Sequence, residues 1–127
     1  MLLTEYLQDF AKVIDEYSKT GFIITSELKI DARAEKIGLI KVIIIFADDS
    51  KLFVTEYVDL RYKLEKLTYS FHCQDKNGNL VFRYDNASHK PFPGFKNHKH
   101  FKGAIFQTEV PVLKDVLEEI ISNLLKQ

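Results

Sequence analysis

Tryptophan is absent from the 127-residue chain, and cysteine and methionine each occur once. A single cysteine, Cys73, excludes an intramolecular disulfide framework. Within its apolar stretch it reads as a small buried thiol, and it points to a reducing compartment. Net charge is absent too: Lys plus Arg and Asp plus Glu both number 18, so no global field draws the protein to nucleic acid or to an anionic membrane. No apolar run approaches the roughly 20 residues of a membrane span. The longest, LIKVIIIF, is short and contains Lys41. The N-terminal MLLTEYLQDFAK sets acidic and polar residues inside its apolar spacing, unlike the core of a signal peptide. A cytoplasmic protein with no membrane partner is expected. No repeat, linker, low-complexity tract or glycine-rich nucleotide loop is found, so residues 1–127 are read as one domain.

What is present is regular patterning. Leu3, Tyr6, Leu7, Phe10, Val13, Ile14 and Tyr17 fall at steps of three and four, which predicts a helix ended by Thr20 and Gly21. In FIITSELKID, Phe22, Ile24, Leu28 and Ile30 share one parity, as in a strand with one buried face. Ile37 to Ala47 reads as a central strand, Asp48, Asp49 and Ser50 as a turn, and KLFVTEYV as a third strand. In LTYSFHCQDKNGNLVFRYDN the pair Asn77 and Gly78 signals a hairpin with a type I′ turn. That turn sets Cys73 against Phe82, His72 against Arg83, Phe71 against Tyr84 and Ser70 against Asp85. One face then carries Tyr69, Phe71, Cys73, Phe82 and Tyr84; the other carries Ser70, His72, Gln74, Arg83 and Asp85. GAIFQTEV reads as a short strand, and Pro111 opens a helix with the stripe Val112, Leu113, Val116, Leu117, Ile120, Ile121, Leu124 and Leu125. The expected class is α+β: an N-terminal helix, five to six mostly antiparallel strands and a C-terminal helix, both helices on one sheet face.

The exception to regularity is RYDNASHKPFPGFKNHKHFKG, Arg83 to Gly103. It holds three of the four histidines and two of the three prolines. Its cations are Arg83, Lys90, Lys96, Lys99 and Lys102, against Asp85 alone. Long irregular segments in compact domains tend to be functional or disordered. Pro91, Pro93 and Gly94 shape a turn, and Phe92, Phe95 and Phe101 argue for an ordered loop, because a solvated tail has no use for them.

Several chemistries compete for this segment. Imidazoles can shuttle protons while cations steady charge building on a phosphate, the equipment of a metal-independent ribonuclease. His72, Arg83, Asp85, His89, His98, Lys99 and His100 are the candidate catalytic set. His98 or His100 would be the base, another histidine the acid, Arg83 with Lys99 the phosphate clamp, and Asp85 an orienting group. Alternatively, His98 and His100 at i and i+2 could ligate a metal with His89 or His72, but the surrounding lysines oppose a divalent ion. No cofactor or metal is expected. A third reading has the segment only grip RNA, its phenylalanines stacking bases. The blandest treats the histidines as solvated loop residues and Arg83 with Asp85 as a cross-strand ion pair. Ser70 has no triad context, and a transferase finds no encouragement in the sequence.

The segments TYSFHCQD, FRYDNASH and NHKH, in this order, resemble the TumE-type toxin family of prokaryotic toxin–antitoxin modules. The resemblance runs over Tyr57 to Leu125. The matching positions are Tyr69, His72, Gln74, Arg83, Tyr84, Asp85, Asn86, His89, His98, Lys99 and His100. Lys90 and Asn97 stand where the family typically holds further histidines, a departure that weakens a multi-histidine metal site more than an acid and base pair. The resemblance implies a growth-inhibiting toxin neutralised by a cognate antitoxin with a DNA-binding domain. The ribonuclease expectation rests on side-chain chemistry alone, with RNA as substrate. Its rival is a non-enzymatic protein whose segment binds antitoxin or nucleic acid. A second copy of the chain is a further partner to consider.

Overall fold

The computed structural model describes residues 1–87 and 96–126. The expected first helix forms as α1 (Leu3–Ser18), burying Leu3, Tyr6, Phe10 and Ile14. Glu5 accepts a hydrogen bond from the Leu2 N–H at 2.8 Å, capping its first turn. Gly21, at φ 82°, lets the chain reverse after it.

Seven strands follow among the described residues: β1 (Ile23–Ala34), β2 (Ile37–Phe46), β3 (Lys51–Asp59), β4 (Glu65–Gln74), β5 (Leu80–Asp85), β6 (His98–Phe101) and β7 (Ala104–Gln107). They form one antiparallel sheet in sequence order, so every connection joins neighbours. The chain closes with α2 (Leu113–Leu125), which buries Leu113, Val116, Leu117, Ile120 and Ile121. Its N-cap is Val112, so Pro111 lies just outside the helix rather than opening it, and Val112 and Leu125 are exposed. Residues of both helices join one core with Ile40, Val42, Ile44, Val54, Phe71 and Phe82. The helices therefore cover one sheet face, and among the described residues no helix covers the other. Among the described residues no helix is long and apolar enough to cross a membrane.

Three expectations about strands need correction. The shared parity of Phe22, Ile24, Leu28 and Ile30 does not give one buried face: a register shift between Ile23 and Thr25 puts Ile23 rather than Ile24 into the core, and Ile30, though paired with the buried Ile40, lies on the edge strand. Ile23 is buried, whereas Ile24 and Ile30 are exposed. The sheet has seven strands rather than five or six, since the closing His98–Phe101 of the irregular segment is itself a strand. The type I′ turn is not at Asn77–Gly78: only Gly78 there has positive φ, and Gly78 N–H donates to Asp75 O at 3.0 Å. This is a type I turn with a left-handed glycine, its extra residue absorbed by a shift at Gln74. The two-residue primed turn occurs instead between β6 and β7, where Lys102 and Gly103 have φ of 49° and 77°.

The expected hairpin register nevertheless holds: Ser70 pairs with Asp85, Phe71 with Tyr84, His72 with Arg83 and Cys73 with Phe82. The three-residue loop and the compensating shift restore the alignment that a two-residue turn would give. Tyr69, Phe71, Cys73 and Phe82 are buried, as that register requires.

Candidate functional site

Antiparallel partners project to the same face, so pairing alone assembles the face away from the helices. Phe53 pairs with His72, His72 with Arg83, Arg83 with His100 and His100 with Ile105. One row therefore sets two imidazoles on either side of a guanidinium. The adjoining row runs Thr55, Ser70, Asp85, His98 and Gln107.

Asp85 is the hub. Its Oδ2 accepts from Arg83 Nε at 2.8 Å, and its Oδ1 accepts from the Ala87 N–H at 3.0 Å. His98 Nε2 stands 2.8 Å from Oδ1 and His100 Nε2 3.5 Å from Oδ2. Burial raises the carboxyl's pKa, but the Arg83 hydrogen bond, the Ala87 N–H and the charges of His98 and Arg83 outweigh it, holding Asp85 below the usual carboxylate range. Asp85 was expected on a solvated face; its side chain is only 2 % exposed, and that of His98 1 %. The wet part of the site is Arg83, His100 and His72, with Arg83 38 % and His100 21 % exposed. The His98 and His100 rings meet edge to face, centroids 5.0 Å apart.

Arg83 Nη1 lies 3.3 Å from His72 Nδ1. Burial, and next the Arg83 charge, lower the His72 pKa, against a raising hydrogen bond with Gln74. Beside Arg83 and Asp85 opens a cleft of about 400 Å³ lined in part by Thr55, Ser70, Asn86 and Ala87. That is room for a nucleotide-sized ligand.

Of the seven residues singled out from sequence, His72, Arg83, Asp85, His98 and His100 meet on this face. His89 lies outside the described residues. Lys99 faces the other way: its Nζ donates to Glu119 Oε2 of α2 at 2.8 Å and sits over the rings of Phe82, Tyr84 and Phe101. As the odd residue between His98 and His100 it must take the opposite side of β6, so it cannot clamp a phosphate beside Arg83. Its ammonium is buried, which lowers its pKa, but Glu119 and Tyr84 outweigh this and raise it. Tyr84, read as a core residue, lies on that side as well, donating to Glu119 Oε1 at 2.6 Å.

Two asparagines complete the setting, neither given a role in the sequence reading. Asn86 accepts from the Tyr69 N–H at 3.0 Å and donates to Leu67 O, and Asn97 accepts from the Tyr69 hydroxyl at 2.9 Å. Tyr69 thus ties both flanks of the connection between β5 and β6. Its hydroxyl pKa is pushed up to about 12, by burial first and then by the Asp85 charge. An Asn directly after a strand end was the available signal. Among the described residues Asp85, His98 and His100 could also hold a metal ion, their ligating atoms all lying within 4.8 Å of one another.

The whole arrangement falls within a recognised sequence family. A family model described as Toxin TumE matches residues 10–125. This extends the resemblance seen from Tyr57 back into α1. No curated protein and no solved structure gives a significant match. The match spans most of the chain, so the protein belongs to the TumE toxin family, as the toxin component of a toxin–antitoxin module with an antitoxin for a partner.

Proposed function

We propose that the toxin cleaves RNA without a metal, using His72, Arg83 and His100 on the sheet face away from the helices. The observation that carries this reading is the row of two imidazoles flanking one guanidinium on three adjacent strands. Strands lie about 4.8 Å apart, so the two imidazole backbones are separated by roughly 10 Å, with the cation between them. A phosphodiester held by Arg83 then has a proton acceptor on one side and a donor on the other.

The base falls to His72 rather than to His98 or His100. Its lowered pKa favours the neutral ring, and a phosphate engaging Arg83 would draw the guanidinium off Nδ1 and free that lone pair. His100 is the acid, because Asp85 Oδ2 lies 3.5 Å from its Nε2, the carboxylate-to-imidazole placement that orients a proton-transferring ring. His72 takes the proton of the ribose 2′-hydroxyl, whose oxygen attacks phosphorus. The bond to the 5′-oxygen breaks, and His100 protonates that leaving oxygen. The products are a 2′,3′-cyclic phosphate and a 5′-hydroxyl end. Asp85 and His98, buried beneath, orient His100 and Arg83, and the cleft beside Arg83 accommodates one nucleoside.

The test is purified toxin incubated with total RNA and a chelator, with the new ends sequenced. Cyclic-phosphate ends that vanish in folded His72→Ala and His100→Ala variants support the reading. Tight RNA or antitoxin binding without any turnover would replace it with a non-enzymatic toxin. The cognate antitoxin is expected to carry a DNA-binding domain, and the protein to act in the cytoplasm.

A further inference from the structure

The acid of the mechanism above and its two orienting groups also form a second arrangement. Asp85, His98 and His100 offer a carboxylate oxygen and two imidazole nitrogens within 4.8 Å of one another. Both histidines turn Nε2 toward the carboxylate, at 2.8 and 3.5 Å. Ligands bound at about 2.0–2.1 Å around a tetrahedral zinc ion stand about 3.4 Å from each other. The two imidazole–carboxylate separations straddle that value, and the three ligating atoms lie within 4.8 Å of one another. Two imidazoles with one carboxylate suit zinc and its neighbours in the transition series rather than magnesium or calcium. Sequence spacing alone suggested His89 or His72 as the third ligand. The pairing of β5 with β6 supplies Asp85 instead.

We infer that a zinc-type divalent ion binds Asp85, His98 and His100 and switches the toxin off. This rests on the ribonuclease reading for its consequence but not for the binding itself. An ion held by Asp85 and His100 Nε2 parts the ring from the carboxylate that orients it, so His100 no longer serves the leaving oxygen. The same ion draws Asp85 away from Arg83 Nε, now 2.8 Å distant, and loosens the phosphate clamp. Metal binding and phosphodiester chemistry thus exclude each other, because both need His100 and Asp85. Arg83 competes with the ion for the carboxylate. Its removal weakens the clamp yet improves the metal site, opposite effects that a merely structural role would not produce.

The experiment titrates zinc into the metal-free, tag-free toxin by calorimetry, with cobalt(II) absorption as a second readout of nitrogen and oxygen ligation. One ion per chain is expected. Affinity should fall at least about tenfold in His100→Ala and in His98→Gln, hold in His72→Ala, and rise about tenfold in Arg83→Ala as the like charge is removed. His100 is partly exposed, so its variant remains informative if the His98 variant fails to fold. Sub-stoichiometric binding, or binding unaffected by changing His100, would overturn the site. RNA cleavage should fall in parallel with occupancy. Zinc bound as expected with no cleavage in chelator would sink the ribonuclease reading and leave the site standing. Cleavage undiminished at saturating zinc, or cleavage that requires zinc, would overturn the switch.

Discussion

Asp85 Oδ1 and His98 Nε2 lie 2.8 Å apart, and each side chain is almost completely withdrawn from solvent. Breaking a buried pair leaves one member without its partner, at a typical cost of about 3–5 kcal/mol. Asp85→Ala should therefore destabilise the fold by about 3 kcal/mol or more, read from urea denaturation with the slope unchanged. A loss below about 1 kcal/mol would mean that the pair holds nothing in place.

His72 sets a pH dependence of stability. Its folded pKa lies below the ordinary 6.5, so between the two values the unfolded chain binds the extra proton more readily. Its contribution to stability is complete above 6.5 and declines as pH falls below it, levelling once the folded ring also titrates. Asp85, shifted downward, contributes above the ordinary carboxylate pKa and loses that contribution as pH falls through its lower folded value. Equilibrium unfolding from pH 7.5 down to pH 3 should show both declines. A His72→Gln variant should lose the upper one alone.

Lys99 separates local spacing from geometry. Lys99→Ala forfeits the Glu119 pair and the contacts over three rings, and should cost about 1–2 kcal/mol. Cleavage per folded molecule should stay within about twofold of the parent, since the ammonium faces α2. An RNA affinity that drops with unchanged stability would return Lys99 to the phosphate site.

Cys73 should behave as an inert thiol. It is buried, and its pKa is pushed up to about 12, by burial first and then by the charge of Asp48. The thiolate is the reacting species, so an aromatic disulfide reagent should modify native protein on the order of 10³-fold more slowly than denatured protein. Rapid native labelling would show that the β3, β4 and β5 core opens readily.

The amino-acid sequence determined what short range can determine. The spacing from Leu3 to Tyr17 and from Leu113 to Ile121 is helical because one face repeats every 3.6 residues. The pairing of His72 with Arg83 followed from eleven residues of chain joined by one tight reversal, and it held although the turn type did not. Alternation had also decided that Lys99 opposes its neighbours once they were strand, but nothing in the composition of a lysine- and histidine-rich stretch marks it as strand. The tertiary structure alone decided that β6 lies beside β5. It thereby decided that Asp85 gathers His98 and His100 under Arg83. The two strands are joined by residues 86–97, and over such a span no turn geometry fixes a register; packing and hydrogen-bond satisfaction across the sheet must do so. The burial of Asp85 has the same origin, because how deeply a side chain is covered depends on neighbours that are distant in sequence.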